Sequence, residues 1–305
     1  MTGGVWGYDD MPDVEPVTMR EGKTPLVGAP RLGDEYGVDG LLFKDEARNP
    51  TGSIEDRGAS VAVSVARNEG AERVCLYAPG NAAVSVAAYA ARAGLESKAY
   101  VPSRARFDAK SSVNVHGGSM KVVRGNLEDA REVARNDDGY SLSAGETPYR
   151  RVGARTVAEE VEDETDADAV VCPVGGGTTH LGLSDGISDG VSLHAAQPEG
   201  CATLLDDVEN PDTVVGELED PSPPALDALR ETVEKNGRAV AVEDGEALDA
   251  CLDAAREGVS LAPSGGVALA ALGELDVSGT VVVVNPSSGR LFADALRNRM
   301  VYHGE

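Results

Sequence analysis

The stretch Asn49-Pro50-Thr51-Gly52-Ser53-Ile54-Glu55-Asp56-Arg57-Gly58, entered from Leu41-Leu42-Phe43-Lys44-Asp45-Glu46, decides how the rest of the chain is read. Leu41, Leu42 and Phe43 form a short apolar run of the kind that makes a buried strand. Asn49-Pro50 and Thr51-Gly52 are turn signals, and Ser53 is placed to cap a helix starting near Ile54. A strand, a tight loop and a helix mouth in that order offer free backbone N–H groups to an anion.

The same alternation continues outward. Residues 58–69 are rich in Ala and Val and apolar nearly all round, which predicts a helix buried against a sheet and ended by Gly70. Residues 73–77 predict a strand, Ala78-Pro79-Gly80-Asn81 a turn, and the next helix runs to Arg92 before Gly94 closes it. A strand at 97–101, a helix at 109–115, a strand at 120–123 and a helix at 127–134 follow. Strands alternating with helices of this length imply right-handed βαβ units and a parallel sheet. The acidic, turn-rich span 136–145 reads as the crossing to a second domain, and 149–161 as an amphipathic helix.

Residues 169–174 form a fully apolar strand that runs into Gly175-Gly176-Gly177-Thr178-Thr179-His180. Three successive glycines remove every Cβ and let the backbone aim a row of N–H groups at one point, with two hydroxyls and a helix mouth behind them. This is the composition of a phosphate cradle. Residues 206–224 are rich in Asp, Glu and Pro and predict an exposed excursion, and 243–257 predict a helix. The β-branched run 280–284 predicts a central strand ending in Asn285-Pro286-Ser287-Ser288-Gly289-Arg290.

The chain has 305 residues and a formal charge of −25, which excludes nucleic acid and anionic membrane surfaces as partners because both need clustered Lys and Arg. Six lysines against 21 arginines, with carboxylates in excess, fit an exterior adapted to high salt. Cys75, Cys172, Cys201 and Cys251 include no C-x-x-C pair, and His116, His180, His194 and His303 show no ligand spacing, so no disulfide framework and no metal site is predicted. The first residues carry no basic and apolar leader, and no apolar run approaches the ~18 residues of a membrane span, so the expectation is a soluble cytoplasmic protein.

The quoted motifs resemble fold-type-II pyridoxal-phosphate (PLP) enzymes, and within them most closely the threonine synthases, whose cofactor-lysine loop reads N-P-T-G-S-F-K-D-R. The segments Val5-Trp6-Gly7-Tyr8 and Glu21-Gly22-Lys23-Thr24-Pro25-Leu26 resemble the opening of the same enzymes, and Gln197-Pro198-Glu199-Gly200 and Pro263-Ser264-Gly265-Gly266 resemble later turns. The resemblance implies a two-domain α/β architecture of parallel sheets flanked by helices, with an interdomain cleft, the smaller domain at 50–140 and the larger at 1–49 plus 141–305. It implies PLP as cofactor, with Asn81 on its 3′-oxygen, Gly175, Gly176, Gly177, Thr178 and Thr179 on its phosphate, and Ser287 or Ser288 at its pyridine nitrogen. Ser53, Arg57 and Lys110 match positions expected near substrate, although for Arg57 a structural ion pair that orients the loop through carboxylates is favoured over a contact to a substrate phosphate. A homodimer is also implied.

One position departs from the pattern. Glu55 stands where the resemblance places the Schiff-base lysine, and a carboxylate cannot condense with an aldehyde. Three readings are open: a divergent paralogue that binds PLP or another small phosphate or amino-acid ligand without the normal imine; a PLP-dependent carbon–oxygen lyase that uses Glu55 as base or another amine such as Lys44 or Lys110; and a Glu55 introduced in place of lysine to trap a complex.

Overall fold

The computed structural model describes residues 3–105 and 107–292. His303 lies outside the described residues. Elements are named in chain order: β1 (Leu26–Gly28), α1 (Pro30–Tyr36), β2 (Gly40–Asp45), α2 (Glu55–Asn68), β3 (Arg73–Tyr77), α3 (Asn81–Ala93) and β4 (Glu96–Pro102). They continue as α4 (Phe107–Val115), β5 (Ser119–Val123), α5 (Leu127–Ala134), β6 (Tyr140–Ser141), α6 (Tyr149–Glu164), β7 (Ala169–Pro173) and α7 (Thr178–Gly186). The last are β8 (Ser192–Pro198), α8 (Leu226–Asn236), β9 (Ala239–Val242), α9 (Asp244–Arg256), α10 (Pro263–Ala270) and β10 (Thr280–Asn285).

Two sheets result, a six-stranded one in the order β1-β2-β10-β7-β8-β9 and a four-stranded one in the order β5-β4-β3-β6. Every pairing is parallel except β1 with β2. As its β-branched composition predicts, β10 is central, paired with β2 on one side and β7 on the other, and Val281, Val282, Val283 and Val284 are fully buried. One core lies between the larger sheet and α1, α9 and α10. A second packs α2 and α3 against the smaller sheet.

Two predictions need correction. The span 136–145 is not merely a crossing: it contains β6, which pairs with β3 and adds the fourth strand of the smaller sheet. The span 206–224 is only partly an exposed excursion, since Val215 is fully buried, and Leu218 and Asp220 are buried too. Apolar side chains placed three apart at Val215 and Leu218 drag the segment inward, against its acidic composition.

Candidate functional site

The loop after β2 is fixed by the turn after β10. Ile54 donates its backbone N–H to the Pro286 carbonyl at 2.8 Å, and Ser288 donates to the Gly52 carbonyl at 3.0 Å. The two turns therefore zip together, with Ser53 opposite Ser287. The helix starts at Glu55 rather than Ile54, and the Ser53 hydroxyl accepts the Glu55 N–H at 3.3 Å. This sets the mouth of α2 at the C-terminal ends of the central parallel strands, where α/β sheets hold their ligands.

Glycines explain what faces Glu55. A Cβ on Gly58 would lie 2.8 Å from the Arg150 carbonyl oxygen, and one on Gly153 would lie 2.3 Å from that of Arg57. Only glycine permits α2 and α6 to cross this closely. The crossing brings Arg150 to the mouth of α2, where its guanidinium pairs with the Glu55 carboxylate at 2.5 Å. The Arg150 side chain is 6% exposed and that of Glu55 28%, so the pair is partly shielded from water.

A cavity of about 170 Å³ opens between the sheets at this point. Its floor is the loop Gly175 to Thr179, which leaves β7 and enters α7 with Gly177 at φ +83°. The first turn of α7 carries no acidic side chain and no side-chain cap, and its Thr178 and Thr179 line the cavity, so the helix mouth opens on this space without a competing carboxylate of its own. The cradle is tight. A Cβ on Gly175 would lie 2.9 Å from the Leu218 Cα, and one on Gly177 would lie 2.4 Å from the Leu229 side chain.

Across the cavity, Asn81 at the start of α3 and Ser287 after β10 meet at one carboxylate. Glu217 Oε1 accepts from the Asn81 side-chain amide and from Ser287 Oγ, the latter at 2.7 Å. Glu217 Oε2 accepts from Ser264 Oγ at 2.5 Å. Ser287, itself fully buried, thus bonds to Glu217, which lines the cavity. Two residues escaped the sequence reading: Ser264 was legible only as part of a turn, and Glu217 sat within the predicted excursion. Glu219 pairs with Arg104 at 3.2 Å, and Asp220 lies against Gly176. Burial pushes the carboxyls of Glu219 and Asp220 up from their ordinary values. His180, also lining the cavity, is fully buried, and burial with His194 nearby pushes its pKa down to about 4, so the imidazole is neutral.

Arg57 and Lys110 are not brought into the cleft. Arg57 is fully buried behind it, held by Glu46 at 2.7 Å and by Glu160 at 2.7 Å on two nitrogens. Its guanidinium ties Glu46, just before the loop, to Glu160 on α6. Lys110 donates to the Ser103 carbonyl at 2.8 Å, and Lys44 is sealed against Glu160 at 2.8 Å. Among the described residues, no lysine lines the cavity.

A family model described as "Pyridoxal-phosphate dependent enzyme" matches residues 17–287. The chain belongs to that family. Within it, the chain is 32% identical to a threonine synthase of Methanosarcina acetivorans over 327 aligned residues, covering 95% of this chain and 80% of that protein. It is 32% identical to the threonine synthase of Mycobacterium leprae, covering 85% of this chain and 78% of the other. A solved structure of a mutant O-ureido-L-serine synthase bound to O-ureido-L-serine superposes with a TM-score of 0.81 at 22% identity, covering 96% of this chain and 95% of that one. The α/β fold with parallel sheets flanked by helices is thus that of the fold-type-II PLP enzymes, whose cofactor is pyridoxal phosphate.

The site fits this cofactor in part. The glycine loop at the mouth of α7 has the composition that suits a phosphate and lines the cavity, and Asn81, Ser264 and Ser287 form a hydrogen-bonding set around one small group. Two features do not fit a PLP held through an imine with its ring on that set: no lysine reaches the cavity, and the Glu217 carboxylate already sits on the three hydroxyl and amide groups. Among the described residues no cluster could hold a metal ion, and no helix is long and apolar enough to cross a membrane.

Proposed function

We propose that this threonine synthase-like chain binds a small phosphate ester, PLP included, in the cleft between its sheets and does so without the internal imine that a cofactor lysine would form. The observation that carries the reading is the mouth of α2, where Glu55 stands paired with Arg150 and no lysine lies within the cavity. A carboxylate supplies no amine. At ~4 Å and an effective dielectric of ~20, it also repels each unit of negative charge on a ligand by roughly 4 kcal/mol, a cost that Arg150 offsets by neutralising it.

The alternative, a lyase using Glu55 as base or another lysine as amine, meets the obstacle that Lys44 and Lys110 both point elsewhere and Glu55 is tied to an arginine. The reading includes a homodimer in a reducing, salt-rich cytoplasm; four buried free thiols and the net charge of −25 support that setting. Its test is a PLP titration of the purified protein in high salt, repeated with inorganic phosphate as competitor. Saturable binding displaced by phosphate is expected, and no binding at any PLP concentration would sink the reading.

A further inference from the structure

We infer that Glu217 is an internal stopper of the cleft: its carboxylate stands in for a ligand on Asn81, Ser264 and Ser287, and a ligand gains those groups only when the segment 216–222 withdraws. The inference rests on the reading of the cleft as a phosphate-ligand site. Three side chains from three distant parts of the chain converge on this one carboxylate, with contacts of 2.7 Å from Ser287 and 2.5 Å from Ser264 and a third from Asn81. Hydrogen bonds to an ionised acceptor are the strong ones, so the set is satisfied as it stands and has no reason to take up a weaker acceptor. Asn81 opens α3, which packs on the smaller sheet, whereas Ser264 belongs to α10 and Ser287 to the turn after β10, both on the larger sheet's side. Glu217 therefore also spans the cleft.

The rest of the segment is built as a strap. Leu218 lies against Gly175 and Asp220 against Gly176, covering the floor where a phosphate would enter. Arg104, after β4, holds Glu219 at 3.2 Å, and Arg131 on α5 donates to the Ser222 carbonyl at 2.7 Å, so both fasten the strap to the smaller sheet's side. Gly216 precedes the stopper with open space around it and no strain to oppose a hinge. The connection from β8 to α8 has no regular strand or helix between residues 202 and 225, so withdrawal breaks no sheet or helix hydrogen bonds. A ligand that cannot offset the loss of Glu217's contacts is excluded, which makes this residue the selector of what the cleft accepts.

The test compares the full chain with Glu217→Ala and Glu217→Gln, each checked for a native near-ultraviolet spectrum, by PLP titration in high salt and by amide hydrogen exchange. Losing two or three charge-assisted hydrogen bonds from the closed state is expected to tighten PLP binding by about ten-fold or more in Glu217→Ala, with Glu217→Gln between it and the parent. In the parent, the amides of Leu218 and Asp220, bonded to Val215 and Leu218 carbonyls at 2.9 Å each, are expected to exchange faster once PLP is added. Equal, measurable affinity in all three proteins, with unchanged exchange at 216–222, overturns the stopper while leaving the cleft reading intact. No PLP binding by any of the three overturns the cleft reading and the stopper with it.

Discussion

Replacing Glu160 by Gln probes the ion network that fixes the mouth of α2 from behind. Glu160 receives Arg57 on both oxygens at 2.7 Å, Lys44 at 2.8 Å, and the backbone N–H groups of Lys23 at 2.7 Å and Thr24 at 3.3 Å. Arg57 and Lys44 are 0% exposed and Glu46, the other buried carboxylate, is also 0% exposed, so two cations face two anions away from water. The substitution leaves two buried cations with one buried carboxylate, Lys44 keeping only the exposed Glu164 at 3.6 Å, and costs about 3 kcal/mol, the low end for breaking a buried pair. An independent route gives a similar figure. Burial alone would raise the Glu160 carboxyl, yet hydrogen bonds from Arg57 and the charges of Arg57 and Lys44 hold it at about 2 instead of 4.5. That depression corresponds to about 3 kcal/mol of stability at neutral pH. The assay is denaturant unfolding at pH 7 in one fixed high salt concentration, followed by two probes to check for intermediates. A loss below about 1 kcal/mol, the scale of an exposed ion pair, would refute the picture of a desolvated network.

Because the folded pKa of Glu160 is depressed, its stabilisation is full above about 4.5 and is lost as pH falls toward about 2, so the acid limb of the stability profile should be shallower in Glu160→Gln. Asp56, which burial pushes up to about 6, acts in the opposite sense between pH 4 and 6, and the difference between parent and variant removes its contribution. Glu55→Lys is expected to gain a borohydride-reducible PLP adduct at position 55, since the neighbouring Arg150 lowers an amine's pKa and favours its nucleophilic form; PLP binding without an adduct there would show that the position does not face the aldehyde. Cys75, Cys172, Cys201 and Cys251 are buried and free, with burial pushing Cys75 and Cys201 up to about 11 and Cys251 to about 12, so an aromatic disulfide reagent should modify none of them before unfolding.

Much of the frame was legible because it depends on local chemistry. The run of valines at 281–284 names a central strand, and the turn residues around Pro50 and Gly52 name the loop that precedes α2. Gly175, Gly176 and Gly177 marked a turn between a buried strand and a helix where the backbone tolerates no side chain, and the fold supplies the reason in the close approach of Leu218, Asp220 and Leu229. What stayed hidden depends on partners far away in the chain. Glu217 is one carboxylate among many in an acidic segment, and its partners lie 136, 47 and 70 residues distant. Arg57 showed the same ambiguity, since its partners Glu46 and Glu160 lie 11 and 103 residues away and only the folded structure brings both to it. The two-residue strand β6 carries no periodicity from which it could be read.

We expect the cleft to hold its phosphate ligand without a lysine imine. The direct measurement saturates the protein with PLP in high salt, reduces it with borohydride and maps the peptides by mass. Bound PLP should be released on denaturation, with no lysine modified in proportion to saturation. A stoichiometric adduct on any one of the six lysines would contradict it.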